Sequence, residues 1–366
     1  MRYLNKQSIE DIALGASLLG AGGGGDPYIG KVTALSAVEQ NGPVKLLDVN
    51  ELPDDSLMIS SSMMGAPSVQ VEKFLNGNEY DRLMDKLARY LGEKFYATFP
   101  IEAGGINSII PIAAASRLGI PMVDCDSMGR AFPELQMSTF SIYGIKATPL
   151  AITDEKGNIG IIDTIDNNWT EKIARAITDK MGAAASVCSF PIRGRDLKKS
   201  SVRNIVTYSE NIGKTIREQS KKKSITVQAL LDVTGGYHMF SGKITDVSRT
   251  TRSGFNYGKT VIDGIDEGKN QRAEILFQNE NIVLKRNGKV VETAPDLICL
   301  VDLETLTPMT NEGLKYGKRV HILGLPCDPK WRTPKGIELV GPRYFGYDID
   351  YVELEKLMEE KNKRSF

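Results

Sequence analysis

Apolar residues Ile9, Ile12, Ala13, Ala16 and Leu19 recur at helical spacing behind Ser8 and Asp11, so the chain opens with an amphipathic helix that starts at a capping arrangement and ends in glycines. From there to about residue 150, short apolar runs at 44–49, 57–59, 95–99 and 121–124 alternate with helical patterns at 80–91 and 108–118. Such alternation predicts an α/β domain with a largely parallel sheet. Its clearest unit spans 95–124: a strand, the loop Glu102-Ala103-Gly104-Gly105-Ile106-Asn107, a helix ending at Gly119, and a second strand ending at Asp124. Further helices are predicted at 171–181, opened by Asn167, Asn168 and Thr170, and at 204–219, where Glu210, Lys214 and Glu218 lie four apart on a solvent face. After the charged break at 221–223 the pattern becomes β-branched, aromatic and glycine-rich. Asn287-Gly288 between two strand-like runs signals a two-residue hairpin, because a type I′ turn needs positive φ at both central positions. The expectation is therefore an α/β N-terminal domain at 1–167, followed at 168–366 by a helix pair and a β-rich, sandwich-like domain.

A chain of 366 residues accommodates two such cores without disulfide or metal staples. Lys plus Arg and Asp plus Glu each number 46, which leaves no excess charge to draw the protein to nucleic acid or anionic lipid and favours a small-molecule partner. Cys125, Cys188, Cys299 and Cys327 show no paired spacing, which indicates neither a zinc ribbon nor a disulfide framework and fits a reducing cytoplasm. The first twenty residues lack the basic start and apolar run of a signal peptide, and no window is apolar enough for a membrane span.

The candidate chemistry lies in the first half. Gly22, Gly23, Gly24 and Gly25, followed by Asp26 and Pro27, form a run whose ordering costs roughly 0.5–1 kcal/mol per glycine relative to alanine. Close approach of backbone N–H groups to an oxyanionic ligand would compensate for it, and a tight helix-to-helix turn is the other use of such a run. With no Gly-Lys-Ser/Thr after it, and a helix rather than a strand before it, the run is neither a phosphate loop nor a dinucleotide fingerprint. The loops at 102–107 and 124–130 leave successive parallel strands at one edge of the sheet, where open α/β sheets bind ligands, and the loop at 60–67 is expected beside them. Glu102, Asp124, Asp126 and Glu134 would converge there as acids and bases, with Arg130 as a guanidinium clamp and Gly105 and Asn107 as donors. The same carboxylates also suit helix caps and pairing with Arg130. Cys125 is a weaker nucleophile candidate because flanking aspartates disfavour its thiolate, and Cys327 is weaker still. His238 and His321, the only histidines, fall in the β-rich half and read as surface or core residues. Glycine and cation recur at 235–236, 240–243 and 249–255, in keeping with β-bulges or with closure over an anionic substrate.

Four segments taken together point to a family. The glycine run from Gly22 to Pro27, the loop from Glu102 to Asn107, the block Asp124-x-Asp126-x-Met128-Gly129-Arg130-Ala131-Phe132-Pro133-Glu134-x-Gln136-Met137 and the closing Gly341-Pro342-Arg343-Tyr344-Phe345-Gly346-Tyr347-Asp348 resemble the S-methyl thiohydantoin desulfurase family, which is associated with hydantoinase/oxoprolinase proteins. The resemblance runs over nearly the whole chain. It implies hydrolytic removal of methanethiol from an S-methylated thiohydantoin to leave a hydantoin. On that reading Asp124 or Asp126 serves as base or as ligand to a divalent metal, Arg130 and Asn107 orient the ring, Gly22 to Gly25 donate from their amides, and Glu102 or Glu134 is a second acid. A divalent metal is the one cofactor left open; no nucleotide or organic cofactor is indicated, and an ATP-dependent ring hydrolase is disfavoured. The alternative is a non-catalytic partner subunit of a hydantoinase/oxoprolinase-type enzyme, and self-association of the chain is left open as well.

Overall fold

The structure, a computed structural model, describes residues 1–65, 69, 77–222, 224–252 and 254–363, apart from the side chains of 267 and 361–363. Ala66 and Pro67 of the expected third loop, Lys223, Ser253 and Arg364 lie outside the described residues.

The first sheet has eight strands, in the spatial order Arg2–Leu4, Val44–Leu47, Met122–Val123, Ala97–Phe99, Leu57–Gly65, Ala184–Arg193, Leu150–Thr153 and Ile159–Ile162. The four from Val44–Leu47 to Leu57–Gly65 run parallel, as the alternating pattern predicts. Antiparallel strands extend this core on both sides, so the sheet is mixed. Met58 belongs to one hydrophobic core and its neighbours Leu57 and Ile59 to another. The central strands are therefore buried on both faces, which is why they lack the alternation of apolar and polar residues seen in half-exposed strands. Strand Ala184–Arg193 reaches this sheet from far along the chain, with Ser61 opposite Cys188.

Helix Lys6–Leu19 begins earlier than its apolar pattern suggests. Asn5 caps it by accepting from the Ser8 N–H at 2.9 Å, whereas Ser8 and Asp11 had read as the cap. Helix Pro27–Asn41, capped by Asp26, was not foreseen, because its apolar residues are too evenly spread to mark a face. Helices Lys6–Leu19 and Ile205–Gln219 pack backbone to backbone. A Cβ on Gly213 would stand 1.8 Å from the Asp11 carbonyl oxygen, and one on Gly15 would stand 1.8 Å from that of Ser209. Arg217 closes the crossing with bonds of 2.7 and 2.9 Å to the two Asp11 oxygens.

The second half forms one seven-stranded antiparallel sheet between Tyr237 and Leu325, rather than the two packed sheets of a sandwich. Bulges in four of its strand pairs add twist. The sheet curls until Asn281, on strand Glu280–Arg286, donates through Nδ2 to the Ile298 carbonyl at 2.8 Å, across four intervening strands. The expected hairpin is present, with φ of 49° at Asn287 and 77° at Gly288.

A Gly213→Ala substitution should lower stability by about 2 kcal/mol in urea denaturation, although glycine-to-alanine in a helix normally gains about 1 kcal/mol, because overpacking against a backbone carbonyl costs roughly 1–3 kcal/mol or more. A stabilised variant would show that the two helices do not touch at this point.

Candidate active site

A narrow cleft opens where the two halves meet, lined among others by Gly24, Gly25, Met63, Glu102, Asn107, Met128, Phe132, Glu134, Arg175 and Glu280. Its floor is a crossing of two glycine loops. The Ile106 N–H donates to the Gly24 carbonyl at 3.0 Å, and a Cβ on Gly24 (φ 73°) would stand 2.6 Å from the Gly104 Cα. The crossing is anchored to the second sheet, where Asn281 N–H donates to the Ala21 carbonyl (2.8 Å) and Asn311 N–H to that of Gly22 (2.7 Å). The cost of the glycine run is thus offset by close backbone packing. Gly24 and Gly25 reach the cleft, and among the described residues neither N–H has a protein acceptor.

Glu102 leaves the end of strand Ala97–Phe99 and turns into the cleft. Its carboxyl accepts from Asn107 Nδ2 at 2.8 Å and from the Phe132 N–H at 3.3 Å. Asn107 is held in turn by Met63, accepting from its N–H at 2.8 Å and donating to its carbonyl at 3.2 Å. Its amide therefore positions Glu102 and is not free to orient a ring. Burial disfavours the Glu102 carboxylate more than these two bonds favour it, which raises its pKa to about 7.

Glu280 enters from the other side, at the start of strand Glu280–Arg286. It is buried, its Oε2 has no hydrogen-bond partner, and burial together with the nearby Glu102 holds its pKa well above the carboxylate range. Gly23 makes room for it, since a Cβ there would stand 2.0 Å from Glu280 Oε1. At the mouth, Glu134 accepts from the Tyr344 hydroxyl at 2.7 Å and from Gln136 Nε2. Arg175 is paired with Glu171, donates to the Pro133 carbonyl at 3.1 Å and lies under the Phe255 ring.

Of the residues singled out in the sequence, Gly24, Gly25, Glu102, Asn107 and Glu134 line the cleft. Gly22, Gly23 and Gly105 build the crossing behind it. The others have structural partners. Asp26 is an exposed cap, accepting from the Tyr28 N–H at 2.8 Å. Asp124 accepts from the N–H groups of Val206 (2.9 Å) and Thr207 (3.1 Å) and from the Thr207 hydroxyl, capping helix Ile205–Gln219. Asp126 closes its own turn, accepting from the N–H groups of Met128 (3.1 Å) and Gly129 (2.8 Å). Arg130 is not among the residues that line the cleft. Its buried guanidinium donates to the carbonyls of Ala131, Pro295, Asp296 and Asn281 at 2.7–3.2 Å and so joins the two halves. Cys125 and Cys327 are buried, burial pushes both thiols up, and neither lines the cleft. His238 and His321 share the Ser241 hydroxyl, each at 2.7 Å, outside the cleft. Among the described residues no three His, Cys, Asp or Glu side chains are grouped to hold a metal ion, and no helix is long and apolar enough to cross a membrane.

Glu280 and Arg175 were missed. Gln278 to Asn281 reads as an ordinary polar turn between two apolar strands, and that turn is present, with Asn279 at φ 56°. Nothing local distinguishes its one buried carboxyl.

The fold and cleft thus define a two-domain protein, α/β followed by an antiparallel β domain, with a buried carboxyl pair at the seam. The chain belongs to the S-Me-THD-like family, matching its N-terminal domain over residues 7–164 and its C-terminal domain over 165–354. It is similar in fold to the X-ray crystal structure of a protein from Chromobacterium violaceum, with a TM-score of 0.77 at 20% identity over 97% of this chain and 100% of that one. No curated protein matches it in sequence.

Two measurements test these assignments. Glu102 has a folded-state pKa of about 7 against an ordinary 4.5, so the stability it contributes is full below pH 4.5 and is lost as pH rises to 7. Relative to Glu102→Gln, the wild type should lose up to about 3 kcal/mol across that window in urea denaturation; parallel curves would contradict the shift. Asp124→Ala should cost about 1–2 kcal/mol as a lost helix cap. An unchanged melting temperature would return Asp124 to the list of functional candidates.

Proposed function

We propose that the cleft hydrolyses a small cyclic amidine-like ring, with an S-methyl thiohydantoin as substrate and a hydantoin and methanethiol as products. The observation that carries this is Glu102, a buried carboxyl in the cleft that is half ionised at about pH 7 and held by Asn107. Such a group suits general-base catalysis near neutrality. The family's name supports the substrate class.

In this reading Glu102 takes a proton from water as the water oxygen bonds to the ring carbon bearing sulfur. The electron pair of the ring C=N bond moves to nitrogen, which receives the proton. The Gly24 and Gly25 amides are available to stabilise the charge that develops. The carbon–sulfur bond then breaks as the new hydroxyl becomes a carbonyl, so one water is consumed and one thiol released. The apolar wall of Met63, Met64, Met128, Ile101 and Phe132 suits the methylthio group. Arg175, already paired with Glu171, leaves the cleft no uncommitted cation among its lining residues, which favours a neutral or donor-rich ring over an anionic one.

Purified protein should release methanethiol from S-methyl thiohydantoins, with kcat/KM rising with pH through a midpoint near the Glu102 value of about 7. Glu102→Gln should lower the rate about 10²–10⁴-fold. Absence of release, or a Glu102→Gln variant at full rate, would sink the hydrolase and leave the partner-subunit role.

A further inference from the structure

We propose that Glu280, supplied by the C-terminal domain, is the general acid that protonates the departing sulfur; this rests on the hydrolase reading above. Glu280 lines the same cleft as Glu102 but arrives on a different sheet. Its backbone is fixed on both sides, with the Asn281 N–H on the Ala21 carbonyl and the Asn279 N–H on that of Asn256, both at 2.8 Å. Glu280 is 4% exposed and its Oε2 is without a partner among the described residues, an arrangement that wastes a buried polar atom unless a ligand completes it. Gly23 fixes the side chain's place by leaving the volume that a Cβ would fill.

Two buried carboxyls in one cleft do not both ionise readily, because the first charge disfavours the second. Glu102 has two bonds to its charged form, from Asn107 and Phe132, whereas Glu280 has Glu102 and Glu312 as unfavourable neighbours, offset in part by Arg130 and by its own backbone N–H. The pair therefore carries one charge, on Glu102, while Glu280 keeps its proton. One base and one acid are what the reaction needs. An alkanethiolate is a basic leaving group, the comparable cysteine thiol having a pKa of about 8.5. As the tetrahedral adduct collapses, its hydroxyl proton passes to Glu102, the carbon–sulfur electron pair goes to sulfur, and sulfur takes the Glu280 proton. Transfer of a proton from Glu102 to Glu280 then restores the pair, with no other reactant consumed.

Leaving-group dependence tests this directly. On an S-methyl thiohydantoin, Glu280→Gln should lower kcat about 10²–10⁴-fold. On the S-(4-nitrophenyl) analogue, whose thiolate departs unprotonated, the loss should be under about tenfold. Glu102→Gln, which impairs the attack of water, should depress both substrates alike. Gly23→Ala, which displaces Glu280 without changing its chemistry, should reproduce the Glu280→Gln pattern. Equal losses on the two substrates for Glu280→Gln, or no loss on either, would overturn the assignment while leaving the hydrolase intact. A wild-type protein that turns over neither substrate overturns both.

Discussion

The crossing of the two glycine loops is the constraint on which the site depends. Gly24 lies against Gly104 at a separation that admits no side chain, and the contact fixes the loop carrying Glu102 against the loop that borders Glu280. Neither carboxyl could stand where it does if the loops were further apart, because each is packed against backbone that the crossing holds. The run at 22–25 is therefore a spacer of zero thickness, and its entropic cost is repaid in the placement of two groups that are distant in sequence.

Charge follows from that placement. The cleft gathers Glu102, Glu134 and Glu280, while the nearest fully buried cation, Arg130, spends its donors on carbonyl oxygens of both halves. A guanidinium used in this way stiffens the seam without neutralising either acid by direct contact, so the two carboxyls remain responsive to each other. Asn107 adds a graded preference by bonding the charged form of one of them. Both carboxyls are buried, and they differ in the hydrogen bonds and neighbouring charges that each meets.

Much of the scaffold was legible. The parallel core, helix Glu79–Leu91, helix Ile205–Gln219 and the Asn287-Gly288 hairpin each rest on local periodicity or turn chemistry, which the sequence carries directly. What was not legible depended on distant partners. Strand Ala184–Arg193 reads as a plain apolar run whose place between Leu57–Gly65 and Leu150–Thr153 is set by long-range pairing. The C-terminal sheet curls with bulges in four of its strand pairs, which leave no local mark in the sequence. In the site, Glu102 and the glycine loops stood out because glycine and acid together are unusual. Asp124 and Asp126 stood out equally, yet Asp124 caps a helix and Asp126 closes its own turn, because a carboxylate committed to backbone N–H groups has the same local sequence as one that faces a cleft. Glu280 was hidden inside a normal turn.

The placement of Ala184–Arg193 also bears on how the chain acquires its shape. Sequence comparison divides the family between residues 164 and 165, yet this strand, beyond that division, is the antiparallel neighbour of Leu57–Gly65, whose far end lines the cleft. A polypeptide emerging from the ribosome cannot complete its first sheet until the second segment has begun to appear, and a pairing over so long a loop is slow to form. The two halves are thus not separate units of assembly, since the first sheet takes a strand from the second.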